Sequence, residues 1–260
     1  MSLVFDLYVP GRSWLHRLDP RVKLWLTALG CGSAFLLRGW WMQGLFLIGL
    51  LLLLRSASIS WEKLGWIWRQ MRLLVILILL LQPLFTPGGR RLAALGPLVL
   101  STGGVQRALL LALRALALSY LAGGLLFTTE QRGLVRGLVR LGVPYTWGLT
   151  LSLTLRFLPA LSDLFNKVRE AQAARGWVAE GGLFRRARDY LPVLVAVVIG
   201  TLRMGDQLTL ALAARGLGTV QRRTVWRELE MRPADRWVLI GGTLGFLLLL
   251  FLGRVEGWGL

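Results

Sequence analysis

Two arginines stand where a guanidinium could do recognition chemistry. Arg175 lies in AQAARG, Ala171 to Gly176, and Arg215 lies in ALAARG, Ala211 to Gly216. Five of the six positions agree, forty residues apart. A planar guanidinium presents its donors in a fixed fork that suits a carboxylate or a backbone carbonyl. The alanines ahead of it keep a helix end slim, so another protein's surface can come close. A single copy also reads as a plain helix end: glycine takes the left-handed conformation cheaply, and arginine in a last turn complements the helix dipole. A cap, however, needs only the glycine, not the same alanines before it. Two like tips suggest two like receivers, such as a homodimer or a pair of related subunits.

No reaction centre accompanies them. His16 and Asp19 in LHRLDPR are three residues apart, so on a helix they would be neighbours and could be read as an acid–base pair. No nucleophile or second base joins them, and the simpler reading is a local brace of the N-terminal arm. Asp19-Pro20 reads as a turn or a helix entry. No GxxxxGK loop followed by Ser or Thr is present, and none of Lys23, Lys63 and Lys167 follows a glycine. The chain therefore does not hydrolyse ATP by a P-loop mechanism. GxSxG, HExxH and CxxC are absent. His16 is the one histidine and Cys31 the one cysteine, which excludes a His-based metal cluster and a disulfide within the chain. Cys31 reads as a small packed residue, and no metal or cofactor is expected in this chain.

The surroundings of these residues are membranous. Of 260 residues, 55 % are hydrophobic, and runs such as LLVILILLLQPLF and VLIGGTLGFLLLLFLG suit hydrocarbon rather than a soluble core. The formal net charge is nevertheless +18. Basic nucleic-acid binders lack such apolar runs, so nucleic acid is not an expected partner. In a membrane protein the excess marks cytoplasmic segments and attraction to anionic headgroups, or an acidic protein partner. The first twenty residues hold no apolar core of a signal peptide.

The expected fold class is an all-α polytopic membrane protein with about five spans. They are read at 22–37, 41–54, 73–85, 105–127 and 237–252. Arg38 to Trp41 make a tight interfacial turn. Residues 55–72 read as an interfacial helix leading into the third span, and 86–104 as a loop or short hairpin. Arg107 and Arg114 fall within the fourth span, and Arg114 must face protein or the interface rather than lipid. Residues 130–236 carry seventeen Lys/Arg against nine Asp/Glu. The positive-inside rule sets that block in the cytoplasm, with the N-terminus inside and the C-terminus outside. Arg90 and Arg91 in the outer loop dissent. Three parts follow: 1–129, an N-terminal membrane bundle with its arm; 130–220, a cytoplasmic region with the two tips; and 221–260, a linker and the last span. Each tip closes a long helix. Pro159 and Pro192 kink or start these helices. Gly200 and Gly205 are hinge candidates or points of close packing.

The chain resembles the transmembrane T component of energy-coupling factor transporters, the vitamin-uptake branch of the ABC superfamily. The resemblance is carried by YVPGRSWLHRLDPRVKL from Tyr8, LLLQPLFTPGG from Leu79, LGVPYTWGLTLSLTLRFLPAL from Leu141, both Ala-Arg-Gly motifs, and the tail RRTVWRELEMRPAD. It covers essentially the whole chain. It implies two long cytoplasmic coupling helices crossing each other, each ending in an Ala-Arg-Gly whose arginine enters a groove of one of two ATP-binding cassette ATPase subunits. That role falls to Ala174, Arg175 and Gly176 and to Ala214, Arg215 and Gly216. It further implies that ATP and Mg are bound by those partners, so this chain is a non-catalytic subunit. An interchangeable S component carrying a vitamin or micronutrient would move over the helices' apolar upper faces. Leu151, Leu155 and Leu158 belong to one such face, and Leu194, Val197 and Val198 to the other. The implied location is a bacterial or archaeal plasma membrane. The N-terminal arm and LQPLFTPGG favour a T component shared among S components; the alternative is a dedicated cobalt or nickel permease subunit. The second coupling helix is less charged than the family pattern leads one to expect, keeping Arg203 and Asp206.

Two other classes fit less well. A membrane enzyme acting on lipid headgroups would need clustered acids or a nucleophile near the interface. A self-sufficient transporter would need intramembrane acids or an inverted repeat, and spans one, two, three and five contain no Asp or Glu.

Overall fold

The computed structural model describes residues 13–85, 91–95, 98–177, 188–217 and 231–256, together with Tyr8 and Gly11. Among the described residues run nine helices and one hairpin. They are α1 (Trp14–Arg17), α2 (Pro20–Leu36), α3 (Trp40–Ser56), α4 (Trp61–Phe85), β1 (Arg91–Leu95), β2 (Leu98–Ser101), α5 (Thr102–Thr128), α6 (Gln131–Arg140), α7 (Tyr145–Ala174), α8 (Leu191–Ala214) and α9 (Pro233–Glu256). The strands pair antiparallel, Leu95 opposite Leu98 and Ala93 opposite Leu100. The chain divides into two compact units. One is built from Phe5–Pro144 and Leu229–Leu260, the other around Tyr145–Glu228.

In the larger unit, α5 is the central post, packing against α2, α3 and α4. Its sequence explains this. Gly104, Ala108, Ala112, Leu116, Tyr120, Gly124 and Thr128 recur every fourth residue and are buried. The small members of that stripe let neighbouring backbones approach closely, which is how helices associate in lipid. A Cβ at Gly124 would lie 2.5 Å from Leu54 Cδ2. Leu47, Leu50 and Leu54 of α3 and Leu64, Ile67 and Val75 of α4 complete the core around it. The Tyr120 hydroxyl donates to the Leu64 carbonyl at 3.2 Å.

Polar groups of this unit cluster at helix ends. Asp19 caps α2, accepting from the Arg21 amide at 2.9 Å, with Pro20 in the first turn. Asp235, in the first turn of α9, accepts from the Asp19 amide at 3.4 Å and from the Arg232 amide at 2.9 Å, joining the starts of two helices. Lys23 Nζ donates to the carbonyl of Thr128, the last residue of α5, at 2.8 Å, and to the His16 carbonyl at 3.3 Å. The His16 ring bonds Ser13 at 2.6 Å while Asp19 serves as a cap, so the two act as separate braces of the arm. Arg114 does face protein. Its Nε donates to the Ala34 carbonyl at 2.8 Å and its guanidinium to the Leu37 carbonyl at 3.0 Å, closing the end of α2.

Four described helices are long and apolar enough to cross a membrane: α4, α5, α8 and the Pro233–Phe251 part of α9. The first two expected spans are α2 and α3, seventeen residues each; at 1.5 Å per residue each is about 25 Å long. One expectation is corrected. Residues 55–72 are not a helix of their own: α3 runs on to Ser56, a turn with Ser58 at φ 61° follows, and α4 is continuous from Trp61 to Phe85. Nothing between Arg72 and Leu73 breaks a helix, so the charged and apolar halves form one rod. The stretch at 86–104 contains the hairpin, and the fourth and fifth spans are extended at both ends, to Thr102–Thr128 and Pro233–Glu256.

Replacing Arg114 by Met should destabilise the larger unit by about 2–3 kcal/mol, because the carbonyls closing α2 lose a charged donor inside an apolar setting. Thermal unfolding in detergent should show a lower midpoint for R114M, while R107M, at an exposed position of the same helix, should unfold like wild type.

Candidate functional site: two like helix tips

The smaller unit is α7 and α8 packed on each other. They meet at Gly200, where a Cβ would lie 3.0 Å from Leu164 Cδ2. Of its two readings, close packing is thus the one with a contact behind it. A Cβ at Gly205 would meet nothing within 4 Å. Pro192 occupies the first turn of α8, where its missing N–H costs nothing. Pro159 lies inside α7, exposed, and withholds a hydrogen bond from the Leu155 carbonyl.

Both tips end in the same main-chain geometry. Gly176 has φ +82° and Gly216 φ +70°. At the first tip the Gly176 amide donates to the Ala173 carbonyl at 3.0 Å and the Trp177 amide to the Gln172 carbonyl at 3.0 Å. At the second, Gly216 donates to Ala213 at 2.9 Å and Leu217 to Leu212 at 2.9 Å. This paired bonding around a left-handed glycine satisfies the terminal carbonyls from the backbone itself. Arg175 and Arg215 stand at the same place in each turn, both exposed, with exposed Ala174 and Ala214 before them. Neither guanidinium has a hydrogen-bond or ion-pair partner among the described residues. The glycines do the capping, and the arginines are left over.

Trp177 is a residue that pattern reading passed over. Its indole Nε1 donates to the Asp189 carbonyl at 2.6 Å, and its ring meets Tyr190 edge-on at 5.0 Å between centroids. It pins the first tip to the start of α8. The signal was an aromatic directly after one Ala-Arg-Gly, with a leucine in that place after the other.

The proposed apolar faces lie open. Leu151 and Leu158 on α7 and Leu194 and Val198 on α8 are exposed, with Leu155 and Val197 half-buried between them. Their spacings put each trio on one helix face. Hydroxyls beside them turn inward: Thr154 donates to the Thr150 carbonyl at 2.9 Å and Thr201 to the Val197 carbonyl at 2.8 Å. That keeps the outer surface apolar. Among the described residues no group of His, Cys, Asp and Glu could hold a metal ion.

Fold and tips together define a polytopic helical membrane protein whose distinguishing feature is a repeated helix end rather than a reaction centre. The family model described as Cobalt transport protein, CbiQ, matches residues 11–226, and the chain belongs to that family. Its relatives include proteins named energy-coupling factor transporter transmembrane protein EcfT. That of Brevibacillus brevis is 34 % identical, over 92 % of this chain and 94 % of its own length. That of Lacticaseibacillus paracasei is 32 % identical, over 96 % and 98 %. That of Listeria innocua is 31 % identical, over 92 % and 94 %.

Substituting Val for Gly176 or Gly216 should cost about 1–2 kcal/mol each, since a β-branched residue resists the left-handed conformation. Hydrogen exchange should accelerate at the amides of Trp177 or Leu217 respectively, and Asn at the same positions should be milder.

Proposed function

We propose that this chain is the transmembrane coupling subunit of an energy-coupling factor importer, joining a cytoplasmic pair of ATP-binding cassette ATPases to a membrane S component. The observation that carries the proposal is the pair of like tips, each offering an exposed arginine without a partner among the described residues, on a backbone that caps itself. The names of the relatives, matched over nearly the whole chain, support it. In this reading Arg175 docks one ATPase subunit and Arg215 the other, with Ala174, Gly176, Ala214 and Gly216 keeping each tip slim enough to enter a groove. ATP and Mg belong to those partners, and this chain performs no hydrolysis.

The geometry supports one mechanism for this role. Movement of the ATPase pair carries the two tips with it. Because α7 and α8 touch at Leu164 and Gly200 and α8 begins against Trp177, displacement of one helix is transmitted to the other. The open faces around Leu151, Leu158, Leu194 and Val198 then slide beneath the S component, which loads or releases its vitamin or micronutrient. α7 and α8 with their linker form the coupling region, on the cytoplasmic side with the N-terminus, and the C-terminus is outside.

Co-purification with the ATPase pair in detergent tests this. Arg175→Ala and Arg215→Ala should each weaken assembly, and the double variant should abolish it, because truncating one partner of a desolvated charged contact costs about 2–5 kcal/mol. A double variant that assembles and supports uptake like wild type would overturn the reading.

A further inference from the structure

The larger unit holds a cavity of about 490 Å³ between α2, α3, α5 and α9. Its wall runs along α2 from Lys23 to Ser33 and along α9 from Val238 to Leu249. Eleven or twelve residues of helix correspond to about 16 Å. The cavity is therefore elongated, lies along the helix axes, and is about as long as half of a roughly 30 Å hydrocarbon layer. Most of its lining is leucine, phenylalanine and glycine.

The hydroxyls and the ammonium on that wall already bond within the protein. Thr27 donates to the Lys23 carbonyl at 2.8 Å, Ser33 to the Leu29 carbonyl at 2.9 Å, and Thr128 to the Gly124 carbonyl at 2.7 Å. The Lys23 ammonium is held by the Thr128 and His16 carbonyls. A vitamin or a hydrated cation entering here would lose its water and gain few hydrogen bonds in return. A hydrocarbon chain would lose nothing. Two helices of the wall, α5 and α9, are long and apolar enough to span a membrane, so acyl chains are the medium that bathes it. Two glycines of the wall, Gly49 of α3 and Gly245 of α9, are exposed, and a Cβ at either would meet nothing within 4 Å.

We infer that this cavity is a structural lipid site, holding one acyl chain of a membrane glycerophospholipid along the depth of a single leaflet. The chain fills space that the helices do not close by themselves, and it sits between α9 and the helices α2, α3 and α5. The inference stands independently of the coupling role.

Native mass spectrometry of the full chain, purified in a detergent that strips loosely held lipid, tests it. Wild type should retain one phospholipid. Gly49→Phe with Gly245→Phe, which place side chains in the open space, should lower the retained fraction at least several-fold. Leu80→Phe, on an exposed face of α4, should leave it unchanged. Where the double variant does not fold, wild type reconstituted with a phospholipid bearing a photoreactive acyl chain gives the same answer. Cross-links should map to Leu26, Leu53 or Leu249 on the cavity wall. Wild type that retains no lipid, a filled variant that retains it equally, or cross-links confined to the outer face of α4 would each overturn the inference.

Discussion

A helix ends with backbone carbonyls that have no partner inside the helix, and in or near hydrocarbon water does not supply one. Much of this molecule's polar architecture answers that constraint. α2 is too short to carry its end clear of its neighbours, and Arg114 of α5 reaches across to its carbonyls. The end of α5 is met by Lys23 of α2. The exchange is reciprocal: each of these two helices supplies a cation to the other's last turn, and the pair is fixed in register at both ends. Asp19 and Asp235 do the complementary work for amides at the starts of α2 and α9.

The same constraint is met differently at the ends of α7 and α8, and the difference bears on function. There a left-handed glycine folds the chain back so that its own amide and that of the residue after it close the end. A cation in that turn is then surplus to the helix. Arg114 is consumed by its structural task, whereas Arg175 and Arg215 have none among the described residues. The same residue type thus serves two ends, and only the local hydrogen bonding distinguishes a structural arginine from one left available for another surface.

The sequence made much of this legible, for reasons that differ by residue. The AQAARG and ALAARG pair is a local signal, and local signals survive folding: glycine after a helical run fixes the turn wherever the helix lies. Arg114 was readable in direction, toward protein, because burying a charge against lipid is costly; its partners, eighty residues away, were not. The join at 55–72 was misread because its charge pattern suits a surface helix as well as the lower half of a longer rod, and only the absence of a breaker at Arg72 separates the two. Asp235 was hidden for a different reason. It looks like any acid in a first turn, and its bond to the Asp19 amide depends on where the last helix returns to the bundle. Trp177 likewise gains its meaning from Asp189 and Tyr190, which begin the other helix.

The two units also differ in what covers them. α5 buries a residue at every fourth position, so its surroundings cannot shift without opening the core. In α7 and α8 only Gly148 and Val193 are buried, while Trp147, Leu202 and Leu210 stand open. A helix with so little internal cover draws its stability from whatever lies against it, lipid or protein. Exchanging one apolar cover for another changes its free energy little, because neither leaves hydrocarbon facing water. That is the physical condition for a surface that can exchange one apolar cover for another. It is also why such a surface belongs on helices with few buried residues, meeting at Gly200 against Leu164 and at Trp177 against Tyr190, rather than on the tightly packed post of the bundle.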